Sequence, residues 1–155
     1  MAGVVALVTA ALFLSGCGGD GVRVDGFDVD AAGRTACLEV IDALPDQVAD
    51  QDRRDIDGSR YAAAWGDPAI VLQCGVPLPE DFAIDPCITR DGIGWSIPAE
   101  QTEDQATDVV MTLAHRSPVV QVLVPAGYRP NGAMSVMTDL APVVSKHTLE
   151  QGRCS

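Results

Sequence analysis

Hydrophobic and polar positions follow two regimes along the chain. Residues 4–14, VVALVTAALFL, are apolar without interruption and carry no charge. Downstream the pattern becomes periodic. Within residues 30–44, Cys37, Val40, Ile41 and Leu44 recur at i, i+3, i+4 and i+7, the spacing of one helix face. Asp28 or Asp30 caps its start and Pro45 ends it. Residues 46–59, DQVADQDRRDIDGS, are polar and charged, which predicts a solvated loop or a frayed helix. After the turn chemistry of Gly66-Asp67-Pro68, Ile70, Leu72 and Cys74 alternate onto one face of a short strand. Residues 77–86 form a proline-bearing loop. Residues 88–90 and 93–97 flank Asp91-Gly92, a pair suited to the type I′ turn of a hairpin. Residues 98–107 are polar. Residues 108–116 and 119–124, β-branched and joined through Ser117-Pro118, predict a second hairpin, and residues 134–137 one more short strand. Asp139 caps a last helix with Leu140, Val143, Val144 and His147 on one face and Pro142 in its first turn. The predicted fold is α+β: a mostly antiparallel sheet of about five strands with an N-terminal and a C-terminal helix on one face.

The apolar run at the start is too short for a lasting membrane span. Eleven residues of helix rise about 1.5 Å each, against a bilayer core of roughly 30 Å. Its length suits the apolar region of a signal peptide. It ends in Leu14-Ser15-Gly16-Cys17, which resembles the lipobox of bacterial lipoproteins. In that family the cysteine sulfur receives a diacylglyceryl group and cleavage falls just before it. The expectation is a signal peptide over residues 1–16, a lipidated Cys17 with a flexible glycine-rich and acidic tether to residue 26, and one domain over residues 27–155. Met1, Ala2 and Gly3 lack the positive charge that signal peptides carry at that point, so a start upstream is expected. Two acyl chains supply the double anchor that stable membrane attachment needs.

Charge and cysteines refine this picture. The net charge is −12, and none of the charged side chains lies in residues 1–16. Such acidity repels nucleic acid and anionic headgroups. It keeps a domain soluble beside an anionic surface, and leaves open a cationic partner or Ca²⁺. Residues 46–59 lack the order of a calcium loop. With Cys17 set aside, Cys37, Cys74, Cys87 and Cys154 remain, an even set that predicts two disulfides in an exported protein. No pair has C-x-x-C spacing, so neither a metal site nor a redox motif is expected. Cys37 on the helix face and Cys74 on the strand face favour Cys37–Cys74 with Cys87–Cys154. The nested arrangement, Cys74–Cys87 with Cys37–Cys154, stays open.

Several stretches, YAAAWGDPAIVLQCGVPLP, GIGWSIP, ATDVVMTLAHRSPVVQVLVPAGYRP and TDLAPVVSKHT before a terminal cysteine, together resemble the actinobacterial domain-of-unknown-function 3515 family (DUF3515). The resemblance runs from about Arg34 to Cys154 and is most specific in the WGDPAIVL-x-CG block. It implies a small exported or lipoprotein-like protein and brings no catalytic residue.

Candidate chemistry is sparse. His115 and His147 are the only histidines, and neither has a second ligand at metal-binding spacing. Ser96 lies mid-strand and Ser117 precedes Pro118; no G-x-S-x-G elbow and no phosphate-binding glycine motif occur. Cys74 beside Gly75 reads as half of a disulfide rather than a thiol nucleophile. Trp65 and Trp95 are either core residues or a shared recognition patch for a protein or glycan. No catalytic, metal or cofactor-binding residue is expected. The expected function is a non-catalytic binding or scaffolding module, held by its lipid at the outer face of the plasma membrane. Its partner would be an envelope protein or glycan. The alternatives are an enzyme or enzyme accessory of cell-wall chemistry, and a small-ligand or lipid carrier.

Overall fold

The computed structural model describes residues 21–83 and 85–154. The elements run β1 (Val22–Val24), α1 (Ala31–Ala43), β2 (Gln47–Val48), β3 (Gln51–Arg54), β4 (Ile56–Gly58), β5 (Ala62–Trp65), β6 (Ile70–Cys74), β7 (Cys87–Arg90), β8 (Ile93–Ser96), α2 (Ala99–Glu103), β9 (Val109–Leu113), β10 (Arg116–Ser117), β11 (Val120–Val124), a 3₁₀ turn (Ala126–Tyr128), α3 (Asn131–His147) and β12 (Leu149–Glu150). Eight strands form one antiparallel sheet in the order β2-β3-β5-β6-β11-β9-β8-β7. Two small pairs flank it, β1 with β4 in parallel and β10 with β12 antiparallel.

Strand alternation divides this sheet into two unlike faces. Ala63, Leu72, Val122 and Met111 stand opposite one another across four strands, and all four are buried. Trp65, Ile70, Val120, Val124, Leu113 and Trp95 continue the same face. Helices α1 and α3 pack on each other and on this face. Asp30 caps α1, its carboxylate accepting the Gly33 N–H at 2.7 Å. Cys37 and Val40 point inward from α1; Val136, Met137, Leu140, Ala141 and Val144 do so from α3. Cys37 is bonded to Cys74, tying α1 to β6 with Cα atoms 5.4 Å apart, and Cys87 is bonded to Cys154, tying the end of the chain to the edge strand β7 at 5.6 Å. The α+β class, the antiparallel sheet and two disulfides therefore stand.

The details depart from the periodic reading in several places. The main sheet has eight strands rather than about five. Residues 22–24, expected in the flexible tether, form β1 against β4, with Val24 buried. Residues 46–59 are not a loop or a frayed helix. They supply β2, β3 and β4, because Val48 enters the core while the charged neighbours project outward. The polar stretch 98–107 holds the short helix α2. Residues 134–137 are helical, not a strand. Helix α3 starts at Asn131, so Pro142 lies inside it and Asp139 is not its cap. Instead Asp139 accepts the Ala49 N–H at 2.8 Å, fastening the β2–β3 turn to α3. Asp91 (φ 50°) and Gly92 (φ 78°) have the positive φ values that a type I′ hairpin turn requires.

Candidate binding pocket on the open sheet face

The face of the sheet turned away from the helices carries a polar cross-strand row. Gln73, Gln121, Thr112, Ser96 and Cys87 stand opposite one another from β6 to the edge strand β7. The row should satisfy itself, and in the middle it does: Gln121 Nε2 donates to Thr112 Oγ1 at 3.2 Å. Ser96 differs. It is 3% exposed, and its Oγ has no hydrogen-bond partner among the described residues. A buried hydroxyl without a partner costs about 1–3 kcal/mol, and native structures rarely keep one without a reason.

Ser96 lines a cavity of about 350 Å³ whose other walls include Phe82, Asp85, Ala114, His115 and the Cys87–Cys154 bridge. Each wall has a local cause. His115 sits in the turn after β9 at φ 52°, a left-handed conformation that turns its ring off the strand line. Its carbonyl accepts the Gln151 N–H at 2.7 Å, so the last segment of the chain runs beside it. Phe82 meets the His115 ring edge-on, with centroids 6.4 Å apart. Gly94 must lack a side chain here, since a Cβ would lie 2.5 Å from Cys154 Sγ. Burial raises the Asp85 carboxyl above its ordinary range, and repulsion from Glu100 and Asp81 raises it further.

Four other cavities open on the surface of the described residues. One of about 490 Å³ lies between the start of α1, Ser117-Pro118 and the end of α3, lined by Asp30, Glu39, Lys146 and His147 among others. One of about 420 Å³ adjoins the Ser96 cavity through Ala114 and Cys154, and its charges are paired: Glu150 holds Arg116 at 3.4 Å and Arg153 at 3.1 Å. An apolar cleft of about 140 Å³ is lined by Ile88, Ile97, Val109 and Met137. There Arg129 donates to the carbonyls of Asp104, Thr107 and Gln101, buckling the loop after α2. Its Nε and Trp95 Nε1 are the remaining buried polar atoms without a partner among the described residues.

The tryptophan patch is not present. Trp65 and Trp95 are both 0% exposed and belong to the core under the helices. Trp65 Nε1 donates to the Pro45 carbonyl at 3.0 Å, and the Arg53 guanidinium lies 5.7 Å from the ring centroid. A small domain gains more from burying two such rings than from displaying them. His147 lines the 490 Å³ cavity, remote in sequence from His115 and in a different cavity. Cys17 and residues 18–20 of the expected tether lie outside the described residues. Asp85 is the pocket residue that periodicity does not single out, because it stands in an irregular loop. Ser96 and His115 are visible in the sequence only as separate residues; the β8–β9 pairing brings them to one cavity.

Chemically, the cavity joins a hydroxyl, an imidazole, a carboxyl and an aromatic ring. It contains no assembled nucleophile–base pair, since Ser96 Oγ bonds to neither His115 nor Asp85. Among the described residues no three His, Cys, Asp or Glu side chains gather as a metal site, and no helix is long and apolar enough to cross a membrane. Comparison with curated proteins and with solved structures found no match. A family model described as "Protein of unknown function (DUF3515)" matches residues 1–152, and the chain belongs to that family.

Proposed function

We propose that the protein is a lipid-anchored, non-catalytic binding module at the outer face of an actinobacterial plasma membrane, and that the Ser96 cavity is its recognition site. The Leu14-Ser15-Gly16-Cys17 sequence supports the anchor. Two disulfides support an oxidising compartment. The observation that carries the binding reading is the cavity of about 350 Å³ beside the Cys87–Cys154 bridge, where Phe82, Asp85, Ser96 and His115 meet. The partner is a small envelope molecule or an exposed group on an envelope protein or glycan.

Two measurements test the two halves of this reading. Cys17→Ala should abolish labelling by a lipid precursor and release the protein from the membrane fraction; retention of both removes the anchor. A photo-crosslinking residue at position 115 should capture an envelope component in intact cells, and capture should fall when Ser96 is replaced by a bulkier side chain. Unchanged capture removes the cavity from recognition. One observation favours an enzyme as a second reading: Ser96, His115 and Asp85 line the same cavity. Labelling of Ser96 by a fluorophosphonate, abolished by His115→Ala, would establish it. A lipid carrier draws less support, because the apolar cleft of about 140 Å³ is small beside the ~300–1,000 Å³ of ordinary ligand pockets.

A further inference from the structure

The main sheet has two edges, and they are finished differently. Strand β2 is two residues long, and the turn after it is fastened to α3 by the bond from Ala49 to Asp139. Strand β7 is four residues long and has β8 on one side only. The hairpin register decides which of its main-chain groups point outward. Arg90 and Ile93 flank a two-residue turn, and the Ile97 N–H donates to the Pro86 carbonyl at 3.1 Å. Pro86, Ile88 and Arg90 therefore turn their main-chain groups toward β8, and Cys87 and Thr89 turn theirs away from it. Among the described residues, neither Cys87 nor Thr89 has a partner for its N–H or its carbonyl. The outward row stops there, since the Asp85 N–H turns back to the Asp81 carbonyl at 3.2 Å and Asp91 begins the turn. Thr89 is exposed and Cys87 is half-buried, so the row can be reached. An open edge of this kind is a template for another strand.

We propose that β7 pairs with β7 of a second copy of this chain, antiparallel about a two-fold axis, joining the two main sheets into one. The proposal depends on neither the Ser96 cavity nor the lipid anchor. The spacing of the outward groups fixes the register. Cys87 of each copy stands opposite Thr89 of the other, and these pairs exchange every N–H···O bond that the open edge offers. Ile88 then faces the partner's Ile88 in the intervening pair, where side chains come closest. Two observations favour a copy of this chain over an unrelated strand. The edge is self-complementary, because one two-fold operation satisfies the whole outward row on both sides. The second observation is Met134 on α3, a large apolar side chain left 39% exposed. It lies beside this edge, lining one cavity with Ile88 and another with Arg90. The two-fold axis runs perpendicular to the joined sheet, so both copies carry α3, which packs on β7, on the same side. Their Met134 side chains then approach over the Ile88 pair. Two chains of −12 repel, yet β7 is bordered by paired charge. Arg90 holds Asp91 at 3.4 Å, and Arg116 and Arg153 hold Glu150 in the cavity that Thr89 lines. The contact is short and belongs to the small, transient class of interfaces.

The test takes the full chain in detergent through sedimentation velocity from about 1 μM to about 1 mM, with amide exchange at Cys87 and Thr89 read in the same samples. The expected result is a monomer–dimer equilibrium in which protection of those two amides rises with concentration. Thr89→Pro removes an outward N–H alone, which an edge strand tolerates. It should weaken the dimer at least about tenfold, since each copy loses one hydrogen bond. Met134→Lys, at an exposed helix position, brings two ammonium groups together across the axis and should also weaken the dimer; it serves if the proline variant misfolds. In intact cells, a photo-crosslinking residue at position 89 should give a product of twice the chain's mass. A monomer at every concentration overturns the proposal, and so does a dimer that both variants leave intact. Absence of the doubled product overturns it as well, and a crosslink to a different protein assigns the edge to an unrelated strand instead. None of these outcomes bears on the cavity, which the crosslink at position 115 tests separately.

Discussion

Ser96 and Thr112 face each other across β8 and β9, both almost fully buried, yet only Thr112 has a hydroxyl partner. That contrast carries a stability prediction. Replacing a buried hydroxyl that has a partner breaks a bond, whereas replacing one without a partner removes a desolvation penalty. Ser96→Ala should therefore raise stability by about 1 kcal/mol, read as a higher urea midpoint with an unchanged slope. Thr112→Val should lower it by a similar amount. A destabilised Ser96→Ala would mean that an ordered water or ligand already satisfies the hydroxyl. The tryptophans show what remained hidden at this scale. Trp65 and Trp95 occur near turn and strand positions, where sequence favours the core and leaves a surface patch open. Only the packing of α1 and α3 over that side of the sheet decides for burial.

At the level of elements, legibility followed the strength of local chemistry. The α1 period, the Asp-Gly hairpin and the alternating Ile70, Leu72 and Cys74 each announce their structure, and each formed close to its expected bounds. The failures share one cause, tertiary pairing that overrides weak local preference. Ala62–Trp65 is alanine-rich, a poor strand composition, yet it is buried throughout because β3 and β6 enclose it. Gln51–Arg54 is polar and none of it is fully buried, yet it becomes β3 because it pairs with β2 and β5 while Arg53 donates to the carbonyls of Leu44 and Ile41. The end of α3 depends on a residue far away in sequence. Arg116 from β10 donates to the carbonyls of Ser145 and Thr148 at 3.1 and 2.9 Å, to Thr148 Oγ1 at 2.7 Å, and to Glu150. These bonds close the helix and hold β12. Arg116→Ala should cost about 2–3 kcal/mol and speed amide exchange over residues 148–151. Arg116→Lys should recover only part of it, because a point charge cannot reproduce the planar fork. Exchange unchanged in the alanine variant would show that β12 is held without the guanidinium.

Over the whole molecule, the two disulfides do different work. Cys37–Cys74 has both residues at 0% exposure, beneath α1, and bridges 37 positions of sequence. Cys87–Cys154 bridges 67 positions, is only partly buried, and forms a wall of two surface cavities. Both restrict the unfolded chain, each by about 3–4 kcal/mol in the chain-entropy account. Only the second is open to attack, because exchange requires a thiolate to reach a sulfur. Mild dithiothreitol under native conditions should therefore reduce Cys87–Cys154 first. The product has two free thiols and an intact helix-to-sheet bridge. Cys37–Cys74 should yield only as fast as the domain opens globally. Differential alkylation followed by peptide mapping reads the order directly. Equal rates for the two bonds, or earlier loss of Cys37–Cys74, would show that the core opens more readily than its packing implies. The order also bears on the cavity. Once Cys154 is free, the last segment is fastened beside His115 by the Gln151 bond and the β10–β12 pair. Reduction should therefore shift the resonances of Ala114 and His115 while leaving those of the helix-covered face, such as Leu72 and Val122, in place.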